Sequence, residues 1–240
     1  MTLHPSLENR TLAGTTAIVT GASRGFGRAI AETLATAGAH VVGVARSGAA
    51  VAADAADPEV ANRLIGEHKP HTLVLCAGAT PTMRPLHEQT WESFSQNWNV
   101  DVAQAFHWTR AALTLPLAPG STVILVSSGA ALNGSPLSGG YAGAKAAVKF
   151  VADYAALESD RAGLGIRFTS VLPRLTAATE MGAEAVAAYA DRQGVDIDAF
   201  LRAAGPPLTA EQVGRSVLEL ATRPLDGSYL LTAAGLSELN

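Results

Sequence analysis

The residues able to do chemistry concentrate in the stretch 128–145. Within it Tyr141 and Lys145 stand four positions apart. On a helix that spacing stacks two side chains on one face. A free phenol has a pKa of about 10 and is a poor acid or base at neutral pH. An ammonium beside it favours the phenolate and lowers that value. This would make Tyr141 a usable general acid/base. Ser128 follows the apolar run Val123-Ile124-Leu125-Val126. A serine leaving the carboxyl end of a buried strand can point into a ligand crevice. Alone, Tyr-x-x-x-Lys is a weak signal, equally met by an exposed tyrosine and a solvated lysine. The elements around it decide.

Those elements begin with a β-prone run over residues 16–20, followed at once by Gly21-Ala22-Ser23-Arg24-Gly25-Phe26-Gly27. Residues 28–37 then read as an alanine-rich helix closed by Gly38, and 41–45 as a second apolar strand. Strand, glycine turn, helix and strand make a βαβ unit. In such a turn one glycine permits the tight bend, another lets backbone approach a pyrophosphate, and a third lets helix pack on strand. The helix start offers N–H groups and a positive dipole end to phosphates.

The end of the second strand bears on cofactor choice. A site for NAD(H) usually carries an acidic residue about 20 positions after the glycines, bonded to the ribose 2′-hydroxyl. No acidic residue lies between Glu32 and Asp54, and the strand ends Ala45-Arg46. Arg46 with Arg24 suits a 2′-phosphate, so NADP(H) is expected over NAD(H). Only residues 47–50 separate this strand from a third at 51–53, too few for a crossover helix. Asp54 is then either a neighbour of the adenine or a helix-capping aspartate near Pro58. Pro58 suits the first turn of a short helix over 58–68.

Residues 72–76 read as a fourth strand, leading to Ala77-Gly78-Ala79, where small residues let a ligand come close. The single cysteine, Cys76, reads as a small buried residue, and it allows no intrachain disulfide. A long helix is expected over 90–115, with a buried or interfacial stripe at Trp91, Phe94, Trp98, Val102, Phe106 and Leu113. A fifth strand over 123–126 delivers Ser127 and Ser128. A long helix over 141–157 carries Tyr141 and Lys145, and a sixth strand over 166–172 ends at Pro173-Arg174. Residues 175–207 read as two short helices, near 183–191 and 196–204, forming a lid on a single domain. Thr209 can cap a helix running to 221, and 228–232 makes a last strand.

Composition narrows the field. The 240 residues are 48% hydrophobic and 16% charged, as for an ordinary soluble domain. The net charge of −4 makes no electrostatic case for nucleic acid or an anionic membrane surface. No apolar run approaches the length of a bilayer span. Residues 1–14 include a polar lead-in and lack the apolar core of a signal peptide, so a cytoplasmic location is expected. The six histidines show no ligand spacing, and no metal site is expected.

Taken together, the Thr20-to-Gly27 turn, the small residues after the fourth strand, Ser128, Tyr141, Lys145 and Pro173 resemble the short-chain dehydrogenase/reductase family, of the classical type. The likeness runs nearly the whole chain. It implies an α/β, Rossmann-like doubly wound fold: a mostly parallel seven-stranded sheet with helices on both faces. It implies that Ser128 holds the substrate carbonyl or hydroxyl and that Tyr141 transfers the proton. Lys145 would lower the tyrosine pKa and bond the nicotinamide ribose. It implies a cofactor cradle of Gly21, Gly25, Phe26 and Gly27. Ser23, Arg24 and Arg46 would lie at the 2′-phosphate, Asp54 and Ala55 near the adenine, Ala77 and Gly78 along the adenosine ribose, and Pro173 and Arg174 beside the nicotinamide. It further implies a homodimer or homotetramer built on the two long helices.

Four positions depart from the family pattern. Asp101 stands where an asparagine is usual, a residue that helps hold a proton-relaying water. Its carboxylate would favour a charged Lys145 and raise the lysine pKa. Cys76 replaces an asparagine, Arg174 a glycine, and Ala234-Gly235 is a worn Asp-Gly-Gly. Two functions are therefore compatible with the residues. One is a carbonyl reductase or alcohol dehydrogenase, the other a dinucleotide-binding sensor or scaffold with little catalysis. Leu132, Asn133, Gly134 and Pro136, opposite residues 80–86, suggest a pocket for a moderately hydrophobic carbonyl or alcohol.

Overall fold

The computed structural model describes residues 12–239. Residues 1–11 of the expected lead-in lie outside them. The chain runs β1 (Thr16–Thr20), α1 (Gly25–Thr36), β2 (His40–Ala45), β3 (Val51–Ala52), α2 (Pro58–His68), β4 (Thr72–Leu75) and α3 (Trp91–Asn97). A π turn over Trp98–Val102 leads into α4 (Ala103–Thr114), then β5 (Thr122–Val126), α5 (Ala130–Asn133) and α6 (Gly139–Ala162). The remainder is β6 (Arg167–Pro173), α7 (Glu180–Gln193), α8 (Ile197–Ala204), α9 (Ala210–Thr222), β7 (Gly227–Thr232) and β8 (Gly235–Leu239).

The strands form one sheet in the order β3-β2-β1-β4-β5-β6-β7-β8, parallel except for the last pair. The sheet therefore has eight strands rather than the expected seven. The extra strand doubles back from β7 through Ala233-Ala234, pairing Thr232 with Gly235. It is partly exposed, so backbone pairing rather than an apolar run defines it. Between β2 and β3 there is no helix, as the short connection required.

Alternation along the central strands sorts side chains to two faces. Leu73, Leu75, Val123 and Leu125 meet Leu64, Ile65, Trp108 and Val148 of α2, α4 and α6. Val74, Ile124 and Val126 meet Ile30 and Leu34 of α1 and Val213, Val217 and Leu220 of α9. This is the Rossmann-like doubly wound arrangement. Local signals fix several helix ends. Asp57, not Asp54, caps α2 by accepting from Glu59 N–H, with Pro58 in the first turn. Thr209 and Gln212 form a capping box on α9. Helix α1 begins at Gly25, three residues before the expected start.

The aromatic stripe is the main departure. Trp91 is 78% exposed, Trp98 42% and Phe106 52%, while Trp108 is fully buried. The cause is the π turn. One extra residue in the helical path rotates the following face by about 100°. Beyond it α4 buries Gln104, Ala105, Trp108, Thr109, Ala111 and Ala112. Close packing of α3 on α6 depends on Gly140, whose added Cβ would lie 2.0 Å from the Phe94 carbonyl oxygen. Gly140→Ala is expected to cost about 1–3 kcal/mol, read as a lower Tm in a thermal melt. An unchanged Tm would mean that the two helices separate freely.

Candidate active site

A cavity of about 1270 Å³ opens at the carboxyl ends of β1, β4, β5 and β6, between the glycine turn and α7. Its floor on one side is the turn itself. Gly21 has φ +70°, and a Cβ there would lie 2.8 Å from Ala77 Cα. A Cβ on Gly27 would lie 2.2 Å from the Gly21 carbonyl oxygen. No side chain caps the start of α1, which leaves its positive dipole end open to an anion. Gly21, Ser23, Arg24, Gly25, Phe26 and Gly27 all line the cavity. The cradle fits a dinucleotide, because the backbone is bare where a phosphate must approach.

Arg46, Asp54 and Ala55 line the cavity beyond β2 and β3. Arg46 is exposed. Arg24 is ion-paired with Glu180 at the start of α7. Asp54 Oδ1 accepts from Ala56 N–H at 2.9 Å, closing a local turn. The Ala55 carbonyl accepts from Trp108 Nε1–H at 2.8 Å. After β4, the Cys76 and Ala77 N–H groups both donate to the Thr20 hydroxyl oxygen, at 2.9 and 3.2 Å. That hydroxyl donates to Gln104 Oε1, and Gln104 Nε2–H donates to the Ala77 carbonyl at 2.9 Å. This network fixes the Ala77-Gly78 segment against β1.

At the centre of the cavity stand Ser128, Tyr141, Lys145 and Asp101. Ser128 follows β5. Its neighbour Ser127 points the other way and donates its hydroxyl hydrogen to the Lys145 carbonyl at 2.7 Å, tying β5 to α6. Tyr141 and Lys145 are one turn apart on α6, with Lys145 Nζ 5.7 Å from the tyrosine ring centre. Lys145 Nζ–H donates to the Val126 carbonyl at 3.2 Å and lies 3.1 Å from Asp101 Oδ2. Asp101 is 1% exposed. Burial would lower the Lys145 pKa, but Asp101 and then Tyr141 raise it above the ordinary lysine value. This is the effect anticipated for the Asp101 carboxylate.

Tyr141 corrects the simplest expectation. Burial raises its pKa above the ordinary phenol value, and the lowering by Lys145 and by the Ser128 hydrogen bond does not overcome it. Asp101 and Cys76 add to the rise. Cys76 is half-buried and lines the cavity, and burial pushes its thiol up to about 11.

Pro173 and the exposed Arg174 close the β6 side. The outer wall joins Leu132, Asn133, Gly134 and Pro136 to Thr80, Pro81 and Met83, with Met181, Ala185 and Tyr189 of α7. Tyr189 hydrogen-bonds the Ser135 hydroxyl, which links α7 to the segment before α6. No cluster of three or more His, Cys, Asp or Glu side chains could hold a metal among the described residues.

The cavity thus gathers every site residue picked out in the sequence. Sequence reasoning passed over Asn97 and Gln104, which with Asp101 make a buried polar row. Their spacing on one helix face was a usable signal, obscured by the aromatics beside them.

The short chain dehydrogenase family profile matches residues 15–190, and the chain belongs to that family. It is 30% identical to L-xylulose reductase of Bos taurus over 92% of this chain and 98% of that protein. It is 35% identical to a hydroxynaphthalene reductase-like protein of Metarhizium majus, in a match spanning 58% of this chain and 61% of that protein's length. Among solved structures it resembles a putative NAD(P)-dependent gluconate 5-dehydrogenase of Beutenbergia cavernae with bound NADP, at a TM-score of 0.76 and 28% identity, covering 92% of this chain and 96% of that one. An NAD⁺-bound xylitol dehydrogenase shares the fold, at a TM-score of 0.79 and 18% identity over 91% of this chain and 98% of that one. The chain is therefore an oxidoreductase of this family, of the kind that binds nicotinamide cofactors and acts on small-molecule alcohols or carbonyls. No helix among the described residues is long and apolar enough to cross a membrane.

Proposed function

We propose that this protein is an NADP(H)-dependent carbonyl reductase or alcohol dehydrogenase working through Ser128, Tyr141 and Lys145. The observation that carries the reading is the meeting of these three side chains in the same cavity as the glycine turn. Ser128 holds the substrate oxygen, Tyr141 moves a proton to or from it, and Lys145 orients the tyrosine and binds the nicotinamide ribose. The bound cofactor supplies or accepts the hydride. The names of the relatives, reductases of L-xylulose and of the hydroxynaphthalene type, support this chemistry. The mostly apolar outer wall suits a moderately hydrophobic substrate. Residues 175–207 form the lid of a single domain.

The preference for NADP(H) rests on Arg46 and Arg24 lining the cavity where no carboxylate follows β2. Arg46→Asp is expected to weaken NADPH binding and to favour NADH relative to the parent. Fluorescence titration with both cofactors tests this, and an unchanged ratio of affinities would mean that Arg46 serves only the solvent.

The exposed Trp91, Trp98 and Phe106 on one long helical segment, and Phe150, Tyr154 and Leu157 on α6, are apolar surface of the kind buried between subunits. They support a homodimer or homotetramer. The expected location is the cytoplasm. A sensor or scaffold is the second reading, favoured by the Asp101–Lys145 ion pair and by Arg174 in the cavity wall.

The deciding experiment is NADPH oxidation by the purified protein across ketones, aldehydes, quinones and β-ketoacyl thioesters. Turnover that depends on Tyr141 supports the enzyme. Tight NADPH binding with no turnover on any of them favours the sensor.

A further inference from the structure

The contact between Asp101 and Lys145 bears on the direction in which the site works, provided that the protein is the oxidoreductase proposed. The pair is held from both ends. Asp101 Oδ1 accepts from the Ala79 N–H at 2.9 Å and from Asn97 Nδ2 at 3.4 Å. Asn97 in turn donates to the Ala79 carbonyl at 2.7 Å. The π turn aims the carboxylate, and Oδ2 has Lys145 Nζ at 3.1 Å with no hydrogen-bond partner of its own. Lys145 is fixed by the Val126 carbonyl.

An ammonium alone beside a phenol draws it toward the phenolate. An ammonium paired with a buried carboxylate presents little net charge to the same phenol. Four groups act on Tyr141: Lys145 from α6, Ser128 after β5, Asp101 from the π turn and Cys76 after β4. Lys145 and Ser128 favour the phenolate, while Asp101 and Cys76 favour the phenol.

We infer that Asp101 is a positioning residue that ties up the Lys145 charge and keeps Tyr141 a neutral phenol, setting the site to reduce a carbonyl rather than to oxidise an alcohol. In that direction the carbonyl carbon accepts a hydride from the reduced nicotinamide cofactor, and the carbonyl oxygen takes the Tyr141 proton. The C=O π bond breaks as the C–H and O–H bonds form. The carbonyl is reduced to an alcohol, the cofactor is oxidised, and the tyrosinate regains its proton from solvent.

The test does not need turnover. Tyrosinate absorbance is titrated in the purified full chain, in its Asp101→Asn variant, and in each with Tyr141→Phe added to subtract the other tyrosines. The expected result is that Tyr141 ionises at lower pH in Asp101→Asn. Ionisation at the same or a higher pH overturns the inference, whether or not the protein proves to be a reductase. Where a substrate is in hand, the rise of alcohol oxidation with pH moves the same way. The oxidation-to-reduction ratio at fixed pH then grows about tenfold per pH unit of displacement. Equal loss of both directions with no displacement means a structural role only, and also overturns it. Should Asp101→Asn not fold, Asp101→Ser is read in its place by the same criteria.

Discussion

Tyr141→Phe is expected to lower turnover about 10²–10⁴-fold while leaving NADPH affinity nearly unchanged. The phenylalanine ring fills the same space, and the one atom lost is the hydroxyl that faces Ser128. The glycine cradle, Arg46 and the Ala77-Gly78 segment lie on other elements and are held by their own bonds, such as Thr20 to Gln104 and Gln104 to Ala77. Binding and chemistry should therefore separate cleanly. Steady-state NADPH oxidation and a fluorescence titration of NADPH measure the two. A variant that turns over at the parental rate would remove Tyr141 from the reaction and, with it, the proposed mechanism.

The largest effect on stability is expected at Lys145. Lys145→Met leaves the Asp101 carboxylate buried beside an apolar chain, and breaking a buried pair from one side costs about 3–5 kcal/mol. For a chain of this size that is a fall in Tm of roughly 6–20 °C. The double variant Lys145→Met/Asp101→Asn should recover most of the loss, because the amide carries no charge to desolvate and its oxygen can still accept from Ala79 N–H. The non-additivity of the cycle isolates the pair. Since the Lys145 pKa is raised in the folded state, the contribution is full below the ordinary lysine value and is lost only as pH climbs through the folded one. The difference between parent and Lys145→Met should thus be flat from pH 6 to about 9. A single variant as stable as the parent would mean that water reaches Asp101 and that the pair does not hold the site.

Much of the fold was legible because local signals and long-range packing agree. The run at β1, the glycine turn and the alanine-rich α1 carry their conformations in a few adjacent residues. Pro58 and Thr209 mark helix starts by their own chemistry, and the four-residue gap between Tyr141 and Lys145 has one meaning once α6 is a helix. Other features were hidden because no local pattern encodes them. Strand β8 exists through its pairing with β7. The π turn shifts the helical phase, so Trp91, Trp98 and Phe106 face outward and Trp108 inward, against the regular period that the sequence suggests.

The same division runs through the site. The sequence by itself determined which residues are available: a cradle bare of Cβ atoms, a serine at a strand end, a tyrosine and a lysine one helical turn apart, and an aspartate in the middle of a long helical segment. Only the tertiary structure decided their charge states and their grouping. It brings Asp101 to 3.1 Å from Lys145 across elements 44 residues apart, 145 minus 101. It also buries Tyr141 deeply enough that its pKa rises although a lysine stands beside it. The reason is physical. Spacing along a chain sets which neighbours a residue has within a turn, but desolvation and ion pairing depend on what other segments fold over it.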